Sequence, residues 1–279
     1  MNENNPFASD IESGNAHIDS SEEAWSPSLS SAFEERRLSL FTDRDKNNEI
    51  KIKFRPIEPK DRAKIQALHE EWFPVEYHEE FYDNLVLHQM PKTGQKLYTC
   101  VVTDANDPND EIVAACVAAR VNIHKLNSNS RKLLINDPLR HTRGVYIMTL
   151  GTIERYRGAG LATALVEKCI DNLISRDEQC GALYLHVIIS NVSAISFYEK
   201  LGFWRVKQIK DYYTIGEEKH DCFLYSKYFH GNRGHLNVFN IMSRWLSSIW
   251  TQVVTEPIHY ILGDGNHHQN SNHRHPRSM

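Results

Sequence analysis

VYIMTLGTIERYRGAGLATALVEKC, residues 145–169, joins three kinds of sequence without a break. An apolar run at 145–153 predicts a buried strand, a basic turn with Gly158 and Gly160 follows, and the spacing of apolar residues from Gly160 to Ile174 is helical. Two glycines let a backbone approach a ligand closely. The unpaired N–H groups of a helix's first turn, at the positive end of its dipole, suit an anion. Taken alone, the turn fits two readings, a phosphate cradle or a turn that needs nothing beyond tight packing. A doubly wound dinucleotide fold is disfavoured, because its fingerprint requires a third glycine that this turn lacks.

Working outward, the alternation in IKIKFRPI (50–57) suits a half-buried strand, and DRAKIQALHEEW (61–72) an amphipathic helix opened by Asp61. LYTCVVT (97–103) and IVAACVAARV (112–121), separated by the turn-rich DANDPNDE, predict a hairpin. A polar, basic insertion at 122–143 carries His124, Lys125, Arg131, Lys132 and Arg140. After the helix come a strand in ALYLHVIIS (182–190), a helix at 193–201, and strands around FWRV (203–206) and DCFLYSKYF (221–229). Hairpins early and strand–helix alternation late predict an α/β protein with a mixed, mostly antiparallel sheet and helices on both faces.

At 279 residues, 41% hydrophobic and 24% charged, the chain has the composition of a soluble globular protein. Its formal net charge of -4 disfavours a general nucleic-acid binder. The five cysteines, Cys100, Cys116, Cys169, Cys180 and Cys222, lack metal-ligand spacing and predict buried, reduced thiols. Residues 1–48, polar and acidic around an isolated Trp25 and Phe33, predict disorder and no secretory leader.

Two stretches carry a family resemblance. RGAGLA (157–162) is similar to the R-x-x-G-x-G/A acetyl-coenzyme A motif of the GNAT acetyltransferases, and NVSAISFYEKLGF (191–203) resembles that superfamily's second signature. WFPVEY (72–77), YIMTLG (146–151), YLHV (184–187) and YYTI (212–215) resemble the protein N-alpha-acetyltransferases, of the membrane-associated NatF type first and NatE next. The resemblance spans about 52–231 and implies a GNAT domain at 51–231 that uses acetyl-CoA as co-substrate, without metal. It implies that the amides from Arg157 through Gly158, Ala159, Gly160 and Leu161 to Ala162 hold the pyrophosphate of coenzyme A. Donors for the thioester oxygen then come from a splayed backbone around Leu150, Thr152 and Ile153.

An α-amino group ordinarily has a pKa of about 7.7–8.0, so it must lose a proton to attack a thioester. The resemblance assigns that work to Tyr146 and His186 acting through water; without it, a lone histidine in YLHV would pass for a satisfied core residue. It makes Tyr198 a cofactor contact first and an acid for the departing thiolate second. Asn191 contacts the pantetheine arm or caps its helix. Substrate selection falls to Phe73, Pro74, Val75, Glu76 and Tyr77, with Tyr212 and Tyr213 opposite. An apolar slot suits methionine, tyrosine hydroxyls suit the peptide backbone, and Glu76 suits a cation, so Met followed by a bulky apolar residue or Lys is the expected amino terminus. The plain alternative for WFP is a helix end stopped by proline.

Beyond the domain, LNVFNIMSRWLSSIWTQVV (236–254), within a C-terminal segment at 235–262, places apolar residues at helical spacing opposite Asn, Ser, Thr and Gln. It is too short in uninterrupted apolar sequence to span a bilayer. Two readings fit: an interfacial helix that attaches the protein peripherally to a membrane, or a helix packed on the domain. The NatF resemblance places such a membrane surface on the cytosolic face of a Golgi-like organelle or at the plasma membrane, with cytoplasm otherwise. The His-rich tail at 263–279 fits a disordered polar segment better than a metal site. Partners are then protein amino termini, including those of membrane proteins, and no nucleic acid. The rival functions are lysine ε-acetylation and a non-catalytic coenzyme A-binding or auxiliary subunit. Lysine's higher pKa, about 10.4, asks for a stronger base than histidine.

Overall fold

The alanine-rich strand β4 (Ile112–Asn122) is apolar on both sides, and a strand of that kind belongs in the middle of a covered sheet. A computed structural model of the protein, which describes residues 35–40, 48–90, 95–107 and 109–234, places it there. The other strands are β1 (Glu35–Leu40), β2 (Asn48–Arg55), β3 (Leu97–Asp104), β5 (Arg143–Thr152), β6 (Cys180–Ile188), β7 (Trp204–Ile215) and β8 (Glu218–Tyr228). They form one sheet in the order β1-β2-β3-β4-β5-β6-β8-β7. Every neighbouring pair is antiparallel except β5 and β6.

Period-two alternation along β4 sends its residues into two cores. Ala115, Val117 and Ala119 pack in a cluster with Ile65 and Leu68 of helix α1 (Arg62–Trp72) and Phe81, Tyr82 and Leu85 of helix α2 (Glu79–Leu85). On the other side Ala114, Cys116 and Ala118 meet Leu161, Leu165, Val166 and Cys169 of the long helix that follows the glycine turn. All five cysteines are buried free thiols.

Several details differ from the sequence expectations. A strand, β1, lies inside the 1–48 segment expected to be disordered; it pairs with the edge of β2, from Glu35↔Lys53 to Leu40↔Asn48, and backbone pairing of this kind needs no apolar face. Asp61 stands at the start of α1 but makes no side-chain capping bond there. Its carboxylate pairs with Arg55, with Nη1–Oδ2 at 2.5 Å and Nη2–Oδ1 at 3.0 Å, because a guanidinium as buried as Arg55 needs a counter-charge, and it accepts the Glu58 N–H at 2.7 Å at the start of a 3-10 turn (Pro59–Asp61) that leads into α1. The short helix α2 carries no clear signal in the sequence. The last strands are longer than expected and close into a single hairpin through Gly216 and Glu217. The insertion at 122–143 folds into a 3-10 turn (Ile123–Lys125) and helix α3 (Ser128–Leu134), capped where the Asn127 side chain accepts the Ser130 N–H.

Among the described residues no helix is long and apolar enough to cross a membrane. Trp25, Phe33, the amphipathic stretch 236–254 and the His-rich stretch 263–279 lie outside the described residues.

Candidate active site

Strand β5 changes character half-way along. Its parallel pairing with β6 runs from Arg143 to Tyr146, opposite Cys180 to Tyr184, and ends there although β5 continues to Thr152 and β6 to Ile188. One residue later the pairing with β4 shifts, from Ala118↔Ile147 to Val117↔Thr149, so Met148 is an extra residue. Bulges of this kind bend a strand and re-aim the residues beyond them. The two strands therefore part just beyond Tyr146, and one edge of β5 opens between them.

The glycine turn closes the far end of that opening. Gly158 and Gly160 have φ of 82° and 81°, in the left-handed region where a side chain is strained, and an added Cβ at either would meet nothing within 4 Å. Helix α4 (Leu161–Leu173) starts immediately after, with Gly160 at its N-cap. The expected row of donors is shorter than the sequence implied. The Arg157 and Ala159 N–H groups are already engaged with the carbonyls of Glu154 (3.0 Å) and Tyr156 (3.4 Å), because a short 3-10 turn (Glu154–Tyr156) precedes them. Gly158, Gly160, Leu161 and Ala162 keep amides without a backbone acceptor among the described residues. The Leu161 side chain is buried in the core, so only its amide serves, and the exposed Arg157 side chain turns back to the Thr152 carbonyl, Nε–O 3.3 Å. The Thr152 hydroxyl is buried without a protein partner among the described residues, which fits a polar ligand in the opening.

At the near end three tyrosines meet His186, and Tyr77 and Tyr198 lie close enough to be felt electrostatically. The Tyr146 hydroxyl lies 3.3 Å from His186 Nδ1, and the Tyr212 hydroxyl lies 3.0 Å from the same nitrogen. The Tyr212 ring stacks on the imidazole with centroids 4.4 Å apart, and the Tyr213 hydroxyl donates to the His186 carbonyl at 3.4 Å. Burial pushes the phenols of Tyr77, Tyr146, Tyr198 and Tyr213 well up, and the ionised forms repel one another; Tyr146 acts on Tyr77 and Tyr198, and all three on Tyr213. Burial also lowers the His186 pKa to about 3, so the imidazole is neutral at any ordinary pH. The outcome is a neutral acceptor ringed by neutral hydroxyls, suited to passing a proton and unsuited to holding charge.

Of the residues expected to bind peptide, Tyr77 belongs to this cluster and also stacks on Phe81 (4.7 Å). Phe73 packs edge-on against His69 (5.3 Å), Val75 is half-buried, and Pro74 and Glu76 are exposed to differing degrees on the loop after α1. The Tyr212 hydroxyl also lies on His186, because the strand carrying it is bulged. Asn191 caps helix α5 (Val192–Lys200), its side-chain oxygen accepting the Ala194 N–H at 3.0 Å. Tyr198 is buried between Phe197 and Phe203. Leu150 is partly buried against the α4 side of the sheet, and Ile153 packs against both cores.

Two residues carry more of the site than their sequence context suggests. Trp72 lies over Gly151 of β5, where an added Cβ would come within 2.0 Å of the indole, so the glycine there makes room for a ring and not for a turn. His69 is 1% exposed among Trp72, Phe73, Tyr77, Phe81 and Tyr82, and burial lowers its pKa to about 4. The signal available in the sequence is the (i, i+3) pair of His69 and Trp72 beside an aromatic loop. Among the described residues no cluster of His, Cys, Asp or Glu is arranged to hold a metal ion.

The acetyltransferase (GNAT) family matches residues 62–203 of the chain. A histone acetyltransferase of Arabidopsis thaliana, MCC1, is 30% identical over 194 residues, covering 65% of this chain and 72% of that protein. N-alpha-acetyltransferase 60 of Xenopus tropicalis is 28% identical over 172 residues, covering 61% and 66%. Among solved structures, Arabidopsis thaliana NAA60 with a bisubstrate analogue superposes with a TM-score of 0.57 at 31% identity, covering 64% of this chain and 99% of that one. The same protein with acetyl-CoA gives 0.57 at 30% identity over the same shares.

Proposed function

Since the chain belongs to the GNAT acetyltransferase family, we propose that it transfers the acetyl group of acetyl-CoA to the free α-amino group of protein amino termini. The observation that carries this reading is the neutral His186 imidazole between the Tyr146 and Tyr212 hydroxyls at the mouth of the β5–β6 opening. A base held this weak suits an amine with a pKa of about 7.7–8.0, roughly a tenth of which is already neutral at pH 7, better than a lysine at about 10.4, almost none of which is. The names of the N-alpha-acetyltransferase relatives support it too.

The chain's own groups divide the work. Amides of Gly158, Gly160, Leu161 and Ala162, aided by the α4 dipole, suit the pyrophosphate. The parted edge of β5 and the Thr152 hydroxyl suit the arm and the thioester oxygen. The thioester supplies the acetyl group. Tyr146 and His186 take the amine's proton through water, and the Tyr198 phenol, pushed up by burial, is a protonated neighbour for the departing sulfur. Phe73 and Val75 offer an apolar wall and Glu76 a carboxylate, which support a preference for Met followed by a bulky apolar residue or Lys. The sequence at 236–254 supports peripheral contact with a membrane on its cytosolic face, where membrane proteins present their amino termini.

The name of the Arabidopsis histone acetyltransferase favours a second reading, acetylation of lysine side chains. A peptide panel with acetyl-CoA separates the two. Free amino termini should be acetylated and blocked peptides with internal lysines should not; the reverse would overturn the proposal.

A further inference from the structure

Tyr212 and Tyr213 are neighbours in sequence, yet both hydroxyls reach His186. A regular strand cannot do this, since successive side chains leave opposite faces. The hairpin register shows how it is done. Ile209 pairs with Cys222 and Tyr213 with His220, so Lys210, Asp211 and Tyr212 together stand opposite the single residue Asp221. Asp211 sits at φ 53°, in the left-handed region that non-glycine residues seldom occupy.

Asp221 ties the bulge to its surroundings. Its Oδ1 accepts the Asp211 N–H at 3.0 Å, and its Oδ2 accepts the Gln208 side-chain amide at 2.9 Å. Its backbone carbonyl accepts the Ile189 N–H at 3.1 Å, just past the end of β6, the strand that carries His186. The Asp211 N–H, then the Gln208 amide, hold the Asp221 carboxyl below the usual carboxylate range, so it is ionised at neutral pH and these are charge-assisted bonds.

We propose that Asp221 is a positioning residue for the reaction: it latches the 210–212 bulge so that the Tyr212 hydroxyl is held on His186 Nδ1. The inference rests on the proposed role of His186 as proton acceptor. Without the latch the ladder can relax toward regular alternation, which turns Tyr212 and Tyr213 to opposite faces and removes at least one hydroxyl from the imidazole.

The test uses the full chain in steady-state acetylation of a free-amino-terminus peptide, with NMR of the His186 ring nitrogens alongside. Asp221→Ala should lower kcat roughly 10- to 100-fold, the scale of a small misplacement in a reacting constellation, without raising KM for acetyl-CoA. Asp211→Val should do the same without touching Asp221, because a β-branched residue does not adopt that φ, while Asp211→Gly should keep wild-type kcat. Asp221→Asn retains an oxygen for the Asp211 N–H and should recover most of the rate. Both disabling variants should shift the His186 ring signals. Wild-type kcat in Asp221→Ala or Asp211→Val overturns the proposal. So does a loss shared equally by Asp221→Asn and matched by a weaker acetyl-CoA KM, which would mark general loosening. If the parent chain acetylates no amino terminus, the proposed reaction falls by itself. The latch then stands or falls on whether the His186 signals move in the Asp221→Ala and Asp211→Val variants.

Discussion

The two ends of the β5–β6 opening are built in opposite ways. At the glycine turn all the working groups are backbone amides within residues 158–162, and their requirements are local: two left-handed residues and a helix start. At the histidine cluster the groups in hydrogen-bonding reach are brought together by three strands, β5, β6 and β7, with His186 40 residues from Tyr146 and 26 from Tyr212. The first needs a backbone shape and tolerates change in most side chains. The second needs several strands in register, and its geometry depends on a shift at Met148 and another at 210–212. Binding and proton transfer should therefore fail separately.

The largest expected effect tests that separation. His186→Ala and Tyr146→Phe should each reduce kcat by about 10²-fold or more while calorimetry finds acetyl-CoA binding intact. A parallel loss of binding would mean that the two ends are one unit. The reciprocal variant is Gly160→Val. A β-branched residue at φ 81° costs on the order of 1–3 kcal/mol, so acetyl-CoA affinity should fall about 10- to 100-fold with kcat at saturation near wild type.

Gly151→Ala sharpens the comparison between a glycine kept for its backbone and one kept for space. Its Cβ would overlap Trp72, and the expected loss of stability is about 1–3 kcal/mol by denaturant unfolding. A double-mutant cycle with Trp72→Ala should show coupling between the two sites. No coupling would mean that the backbone of β5, and not the indole, requires glycine there.

The smallest effect concerns pH. His69 has a folded pKa lowered to about 4, so the unfolded chain takes up its proton first. Stability from this group is complete above the unfolded value of about 6.5 and is lost as pH falls toward 4. His69→Phe should flatten the fall of Tm between pH 6 and pH 5 by a few degrees, the scale of about 1 kcal/mol over that single unit in a domain of this size. An unchanged slope would assign the acid sensitivity elsewhere.

Much of the fold is legible in the sequence. The β3–β4 hairpin, the helices α1, α4 and α5, and the mixed sheet follow from periodicity and turn residues. Flanking motifs single out Tyr146 and His186, and the structure brings them within hydrogen-bonding reach. Asp61 misleads because an acid before a helix is the ordinary sign of an N-cap, whereas here a 3-10 turn (Pro59–Asp61) leads into the helix and the Asp61 carboxylate reaches back to the Glu58 N–H and to the buried Arg55. The sequence names Tyr212 and Tyr213 as a pair facing the peptide but gives no sign of the bulge that carries them: only the pairing with β8 reveals three residues set against one.

By itself the sequence determined whatever depends on neighbours along the chain: the strand, glycine turn and helix whose free amides suit an anion, and the apolar runs that make a covered sheet. Backbone conformation and periodicity are local properties, set by sterics and by the repeats of about 2 and 3.6 residues. Tertiary structure alone decided which amides of the turn stay unpaired by backbone, which acid neutralises Arg55, why Gly151 lies under an indole, and where two tyrosine hydroxyls meet one imidazole. Those outcomes depend on strand register and on burial. A register shift of one residue reverses every side chain, and a buried polar group is satisfied by whichever partner the fold brings near.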